Sequence, residues 1–398
     1  MKILVVSQYY YPEPFSITFI AEQLAKRGHD VTVLTAKPNH SYYRLDNDYK
    51  NIDFEIKNNV KIHRVNVIVR NDSKFLIILN YLSFWKNAKK MVKKLDKDFD
   101  VIYSMSLSPI ISVSPAIKYA KKHKIKHVLH CLDLWPESVV TTGMIKKNSI
   151  SYKILLKWSQ KIYRNIDRIL VSSPSFINYF KDVVGIDENK CKLTYQPSNK
   201  VINVSEKEAF EYDKRYVNLI YCGNVGRMQE IPLMIETIKK LKDQINVRLY
   251  VIGMGAYRNY LIDSIKKFNL QDNIIYLGGK ASSEVGKYFK NIDAFYFGLA
   301  NDGIIGNTIP NKLTFYMSYQ KPIIASVSGD GRDVLLKSNG GIIANHNVDD
   351  LADKILQFAK LSKRDRKLMA KNNISYFTKH FNNKLIMDQI EDELKKHC

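Results

Sequence analysis

The sequence predicts an α/β protein built from two Rossmann-like domains that face a cleft. The chain has 398 residues, beyond the roughly 250–300 at which one hydrophobic core stops growing. Short apolar runs alternate with stretches of helical spacing, the pattern of βαβ units on a parallel sheet. That rhythm pauses once, over a polar stretch at 196–216, and then starts again.

The elements follow in order. KILVVSQYY is a buried strand, and TFIAEQLAKRG carries apolar residues at helical spacing and stops at Gly28. HDVTVLTA is the next strand. DVIYSMS, KHVLHCLDL and RILVSSP repeat the short β-rich run, with the helical segments SPAIKYAKKH and SYKILLKWSQKIYRNI between them. QPSNKVINVSEKEAFEYDKRY is polar and without period, so it reads as a linker. The second series is VNLIYCGNVG, NVRLYVIGMG, NIIYLGG, DAFYFGL, KPIIAS and GGIIA, each followed by helix or loop. The expected domains are therefore 1–198 and 199–379, with a last helix at 380–398. Ligands of such sheets bind at the carboxyl ends of the strands.

Composition narrows the class. With 45% hydrophobic and 25% charged residues, the chain reads as a folded soluble protein. No apolar run reaches the length of a signal-peptide core or a membrane span. Cys131, Cys191, Cys222 and Cys398 lack metal-ligand or CxxC spacing, which suits a reducing cytoplasm. The net charge of +23 is concentrated: residues 86–164 carry 17 Lys/Arg against 5 Asp/Glu. This is either a set of solvated helix faces or a patch that meets an anionic surface. SKFLIILNYLSFWKNAKKMVKKL (73–95) joins an apolar half with Phe75, Leu76, Leu79, Phe84 and Trp85 to a cationic half. It reads as an interfacial segment or as the buried face of a core helix. The basic runs lack interleaved stacking aromatics, so nucleic acid is not expected as a partner.

Four segments carry candidate chemistry. YCGNVGRMQEIPLMIETIKKL runs strand, Gly223-x-x-Gly226, Arg227, helix, an arrangement suited to a diphosphate or simply to a βα turn. IPNKLTFYMSYQKPIIAS places Pro310 where a first-turn proline costs no hydrogen bond. The N–H groups of Asn311, Lys312 and Leu313 would then point into the cleft, with Lys312 adding charge. HVLHCLDLWPESVV offers His130, Asp133 and Glu137 after a strand; the alternative is two capping carboxylates and a satisfied core histidine. YYYPEPFSIT puts Glu13 and Ser16 in the first βα loop. Asp46-Asn47-Asp48 has a metal-motif form but lies in a polar loop, and no metal is expected.

These pieces resemble a GT-B glycosyltransferase of family GT4, most of all the bacterial capsule, O-antigen and exopolysaccharide enzymes, including N-acetyl-L-fucosaminyltransferases. The resemblance rests on YYPEP, RGHDVTVLTAKPNH, DLWPES, GNVG and IPNKLTFYM before KPIIAS, and it covers the whole chain. It implies a retaining, metal-independent enzyme whose second domain holds a UDP-sugar and whose first takes a lipid-diphosphate-linked saccharide. It implies that Arg227 and Lys312 neutralise the donor diphosphate above Gly223 and Asn224, and that Lys280 and Ala281 read the base. From their own places after first-domain strands, His130 and Asp133 are candidate catalytic groups, and Glu13, Ser16 and Glu137 are candidate acceptor-binding groups. The last helix would cross back onto the first domain. The protein would work in the cytoplasm, peripheral to the inner face of the cell membrane. One departure stands out. The family's two carboxylates, spaced E-x7-E, fall here on Asn307 and Phe315, so the ribose-binding carboxylate is missing. This departure also opens the alternative of a catalytically silent subunit.

Overall fold

A computed structural model describes residues 1–39, 47–71, 73–197, 211–281 and 283–398, with the backbone alone at Lys74. Asp46 of the candidate metal motif lies outside the described residues; Asp48 is exposed in a 3-10 turn. The chain divides into two compact units, one formed by Met1–Asn199 with Asn383–Cys398 and the other by Lys200–Asn382.

The first unit holds an eight-stranded sheet. Its strands are β1 (Lys2–Val6), β2 (Asp30–Ala36), β3 (Phe54–Lys57), β4 (Val60–Val65), β5 (Val101–Ser106), β6 (Lys126–Cys131), β7 (Arg168–Val171) and β8 (Cys191–Leu193). They lie in the order β3-β4-β2-β1-β5-β6-β7-β8. All neighbours are parallel except β3 and β4. The helices are α1 (Ser16–Lys26), α2 (Lys74–Met91), α3 (Ser114–His123), α4 (Glu137–Thr141), α5 (Ile150–Tyr163) and α6 (Pro174–Tyr179). The second unit holds β9 (Val217–Cys222), β10 (Val247–Ile252), β11 (Ile274–Gly278), β12 (Ala294–Gly298), β13 (Ile323–Ser326) and β14 (Gly341–Ala344). Its six strands are all parallel, in the order β11-β10-β9-β12-β13-β14. The helices are α7 (Ile231–Leu241), α8 (Arg258–Lys267), α9 (Asn311–Met317), α10 (Gly329–Ser338), α11 (Val348–Ala359) and α12 (Lys363–His380). The closing helix α13 (Asn383–Lys395) belongs to the first unit.

A strand buried on both faces needs apolar residues at every position, and β1 shows why. Ile3 and Val5 pack with Ile20 and Leu24 of α1 and with Ile386, Ile390 and Leu394 of α13. Leu4 and Val6 point the other way, toward Phe84 and Ala88 of α2 and Ala116 of α3. Helix α13 is also held by charge: Arg27 contacts Asp388 at 2.8 Å and Glu391 at 2.6 Å, and Arg168 contacts Glu393 at 2.6 Å. In the second unit one face of β9 and β10 buries Ile235 and Ile238 of α7 and Leu261 of α8. The other face carries an aromatic cluster, in which Phe295 of β12 stacks on Tyr316 of α9 with ring centroids 4.1 Å apart.

The antiparallel β3–β4 hairpin is an element that the sequence pattern did not reveal. Asn58 and Asn59 join its strands, both with positive φ, as a two-residue hairpin turn requires. The double asparagine between FEIK and VKIHRV was the available signal.

Helix α2 buries one part of its apolar set and exposes another. Phe84 is fully buried, whereas Phe75, Ile78 and Leu82 form the exposed apolar set. On α5, Ile150 and Ile154 are exposed in the same way, Ile150 at 80%. Between these helices, with α3 as the floor, lies a groove of about 240 Å³ lined by Trp85, Lys89, Lys118, Trp158 and Lys161.

Candidate active site

The second sheet brings its best-formed polar loops to the carboxyl ends of its strands. Strand β9 ends at Cys222, and Gly223 follows with φ of +153°. A Cβ on Gly223 would stand 2.5 Å from Lys312 Cε and 2.8 Å from its Nζ, so glycine is what lets the lysine in. The loop after β10 packs beneath it backbone to backbone. A Cβ on Gly253 would lie 1.8 Å from the Gly223 carbonyl oxygen, and Val225 N–H donates to the Met254 carbonyl at 2.8 Å. This second glycine loop, GMG, was not singled out in the sequence, although two glycines after a strand were a usable signal.

Lys312 lies in the first turn of α9, whose N-cap is Pro310. Its ammonium donates to the Tyr221 hydroxyl and sits 4.1 Å from the centre of that ring. Burial pushes its pKa down to about 7. Tyr221 in turn donates to the Asn224 carbonyl oxygen. Tyr316 accepts from Cys222 N–H at 2.7 Å and donates to the Cys222 carbonyl at 2.9 Å. Two tyrosines therefore fasten α9 to the end of β9, and neither was among the expected site residues.

Arg227 is 62% exposed, with Asp302 at 3.0 Å. The expected pair of helix N-termini needs correction. Arg227–Gln229 is a 3-10 turn and α7 begins only at Ile231, while α9 has just seven residues. Positive potential in these loops thus comes from the two side chains and the loop amides, with little from aligned helix dipoles. Asn224 Nδ2 donates to Gln229 Oε1 at 3.0 Å, and a Cβ on Gly226 would collide with both side chains. Lys280 and Ala281 are exposed beyond β11, whose last carbonyl, at Gly278, accepts from Gly253 N–H. Asn307 donates to the Gly303 carbonyl at 2.9 Å. Asn311 is exposed and Leu313 is fully buried.

Phe315 does not replace the missing carboxylate at a ligand. Its ring packs in the core against Phe289, with centroids 5.9 Å apart, and against Tyr319 at 4.9 Å.

In the first unit the candidate residues are mostly committed to structure. His130 is completely buried, with Nδ1 2.8 Å from the Tyr103 hydroxyl and Nε2 3.0 Å from the Thr194 carbonyl oxygen. Burial lowers its pKa to about 4. It is a satisfied core histidine, and its expected catalytic role is withdrawn. Glu137 is buried and accepts from the Tyr152 hydroxyl at 2.5 Å. Glu13 is buried and accepts from Asn39 N–H at 2.9 Å; Ser16 is buried and accepts from Gln196 at 2.6 Å. These three tie loops together, which corrects their reading as acceptor-binding groups. Asp133 differs. It is half-buried after β6, and burial raises its carboxyl pKa against a hydrogen bond from the Ser108 backbone.

A further polar cluster closes the same edge of the second sheet. Glu230 caps α7 in the left-handed region, with φ of +52°, a conformation that costs a non-glycine residue roughly 1–2 kcal/mol. Its carboxylate meets His346 Nδ1 at 2.8 Å, and Ser326 and Ser328 approach the same imidazole. No sequence motif had marked these residues.

Comparison with known proteins places the chain. The model of Glycosyltransferase Family 4 matches residues 16–215 and that of Glycosyl transferases group 1 matches residues 204–375. The chain belongs to glycosyltransferase family 4, and its two α/β units have the GT-B fold. The probable glycosyltransferase WbjE of Pseudomonas aeruginosa is 28% identical over 57% of this chain and 57% of that protein. The chain thus spans little more than half the length of that relative. A Campylobacter jejuni protein is 22% identical over 39% of this chain and 40% of its own. It is the N-acetylgalactosamine-N,N'-diacetylbacillosaminyl-diphospho-undecaprenol 4-alpha-N-acetylgalactosaminyltransferase. Among solved structures, Anabaena Alr3699/HepE in complex with UDP and glucose aligns over 99% of both chains, with a TM-score of 0.69 and 12% identity.

Proposed function

We propose that the protein is a retaining, metal-independent glycosyltransferase that moves a sugar from a UDP-sugar to a lipid-diphosphate-linked saccharide. The sugar would be N-acetyl-L-fucosamine or another N-acetylhexosamine, and the product would enter capsule, O-antigen or exopolysaccharide synthesis. The observation that carries the reading is the fit of Lys312 against Gly223, which sets one cation directly over a glycine loop, with Arg227 on the same loop. Charge that builds on the departing diphosphate would be stabilised there. The leaving phosphate itself would take the acceptor proton, with the configuration retained. The relatives support the chemistry: one structural neighbour is a UDP complex, and the Campylobacter relative's name includes a diphospho-undecaprenol-linked saccharide. Incubation with a panel of UDP-sugars and a polyprenyl-diphosphate sugar acceptor, read by mass, should yield one extended product. Adding EDTA should leave its rate unchanged; loss of product restored by magnesium would return the metal reading.

A second reading is a catalytically silent partner of an active transferase. It draws on one observation, that Asn307 is uncharged and Phe315 is buried where the resemblance expects carboxylates. Absence of product from every donor, with the fold intact, is its expected result.

The first unit supports work at an anionic membrane surface on the cytoplasmic side. Among the described residues no helix is long and apolar enough to cross a membrane. The exposed Phe75, Ile78 and Leu82, and the groove whose Trp85 and Trp158 lie among Lys89, Lys118 and Lys161, have the composition of an interfacial site. Each lysine near an anionic leaflet is worth about 1 kcal/mol. The protein should pellet with anionic vesicles at low salt and be released as salt rises. Replacing Lys89, Lys118 and Lys161 by glutamine should weaken pelleting and leave UDP binding intact. Equal pelleting with neutral vesicles, or none, would leave those charges as a solvated face.

A further inference from the structure

Ser328 occupies the N-cap of α10, two residues past the end of β13, yet its hydroxyl makes no capping bond to that helix. A serine there ordinarily accepts from the first-turn amides. This one turns instead to His346, whose Nε2 lies 2.8 Å from the Ser328 oxygen. On the far side of the ring, Nδ1 lies 2.8 Å from Glu230 Oε1. The tautomer protonated on Nδ1 satisfies both contacts, leaving Nε2 to accept from the serine. Ser326 Oγ stands further off, at 3.2 Å from Nδ1. Glu230 Oε2 is buried without a partner, so the imidazole is the group on which that carboxylate acts.

Serine, imidazole and carboxylate in this order, bonded through the two different ring nitrogens, form the constellation that activates a serine nucleophile. Three further features fit. Ser328 and His346 are only partly buried, so a small molecule can reach them. The serine sits on a strand-to-helix turn, where Gly329 has φ of +56°. Helix α10 begins at the next residue, with ten residues to align its peptide dipoles behind the serine.

We propose that Ser328, His346 and Glu230 form a serine acyl-transfer site that hydrolyses small acyl esters, separate from sugar transfer. Ser328 Oγ attacks the ester carbonyl carbon and its proton passes to His346 Nε2. The bond from that carbon to the alcohol oxygen breaks, and the leaving group takes the proton from His346. Water then attacks the acyl-serine, gives a proton to His346, and releases the carboxylic acid as the serine recovers its proton. Ester and water become acid and alcohol, with no other reactant. Glu230 acts through His346 as a positioning residue.

The test uses the full chain and p-nitrophenyl acetate, following p-nitrophenolate release and mapping acetyl groups by peptide mass. Acetylation should appear on Ser328, and Ser328→Ala and His346→Ala should each lower the release rate about 10²-fold or more. Glu230→Gln should lower the maximal rate with KM unchanged, which a purely structural tie would not do. Ser328 is only partly buried and makes no capping bond to α10, so its alanine variant should melt as the parent does, by circular dichroism. Acetyl groups on lysines alone, or equal release by a folded Ser328→Ala protein, would overturn the proposal and leave the cluster as a tie between α7 and α10. Neither result bears on sugar transfer, which is measured with UDP-sugars.

Discussion

Replacing Lys312 by alanine should lower sugar transfer roughly 10²–10³-fold, the usual cost of removing one donor aimed at developing charge. The effect should exceed that of Arg227→Ala, because Arg227 is largely solvated and shares its charge with Asp302, whereas Lys312 is half-buried over Tyr221. A pH signature accompanies it. Without ligand, burial holds the Lys312 pKa at about 7, and a bound diphosphate would raise it. Below that pH the free protein already carries the proton. Above it, binding must take up a proton, so UDP affinity should fall as pH rises from about 7.5 to 9 and level off below about 7. A Lys312→Met variant should bind weakly with no such slope. Normal turnover in folded Lys312→Ala protein would remove the diphosphate clamp from the account.

Phe315→Glu is expected to be the most damaging single change for stability. The ring is enclosed by Phe289, Tyr316 and Tyr319 in the aromatic face of the second unit. A carboxylate there must be desolvated among rings, a cost of several kcal/mol. At about 2–4 °C per kcal/mol for a domain of this size, the melting temperature should drop by roughly 10 °C or more. Phe315→Leu should retain both fold and UDP binding. A stable Phe315→Glu protein with tighter UDP binding would put position 315 back at the ribose.

Much of this architecture was legible in the sequence because parallel strands buried on both faces must be continuous apolar runs. KILVV could hardly be anything else once Ile3 and Leu4 point into opposite cores. The β3–β4 hairpin escaped because an edge strand with one exposed face, such as FEIK, carries too few apolar residues to stand out. In the second unit, GNVG and PNK were recognisable as loops after strands, and the structure joins them through Lys312 and Gly223. His130, Glu13, Ser16 and Glu137 misled for a common reason. A polar residue after a strand looks the same in sequence whether it faces a ligand or bonds a neighbouring loop, and only the partners decide. Tyr221 and Tyr316 were hidden by the opposite effect, since tyrosines in apolar runs read as core until their hydroxyls are placed. The Glu230–His346–Ser328 cluster draws on segments more than a hundred residues apart, beyond any spacing rule.

The decisive measurement of the donor site is calorimetric titration with UDP, GDP and ADP on the parent and on Lys312→Ala. Binding should be saturable, strongest for UDP, and weakened by at least about tenfold without the lysine, the change expected when one charge-assisted contact is lost. Equal heats for all three nucleotides, no binding at all, or undiminished UDP affinity in folded Lys312→Ala protein would contradict it.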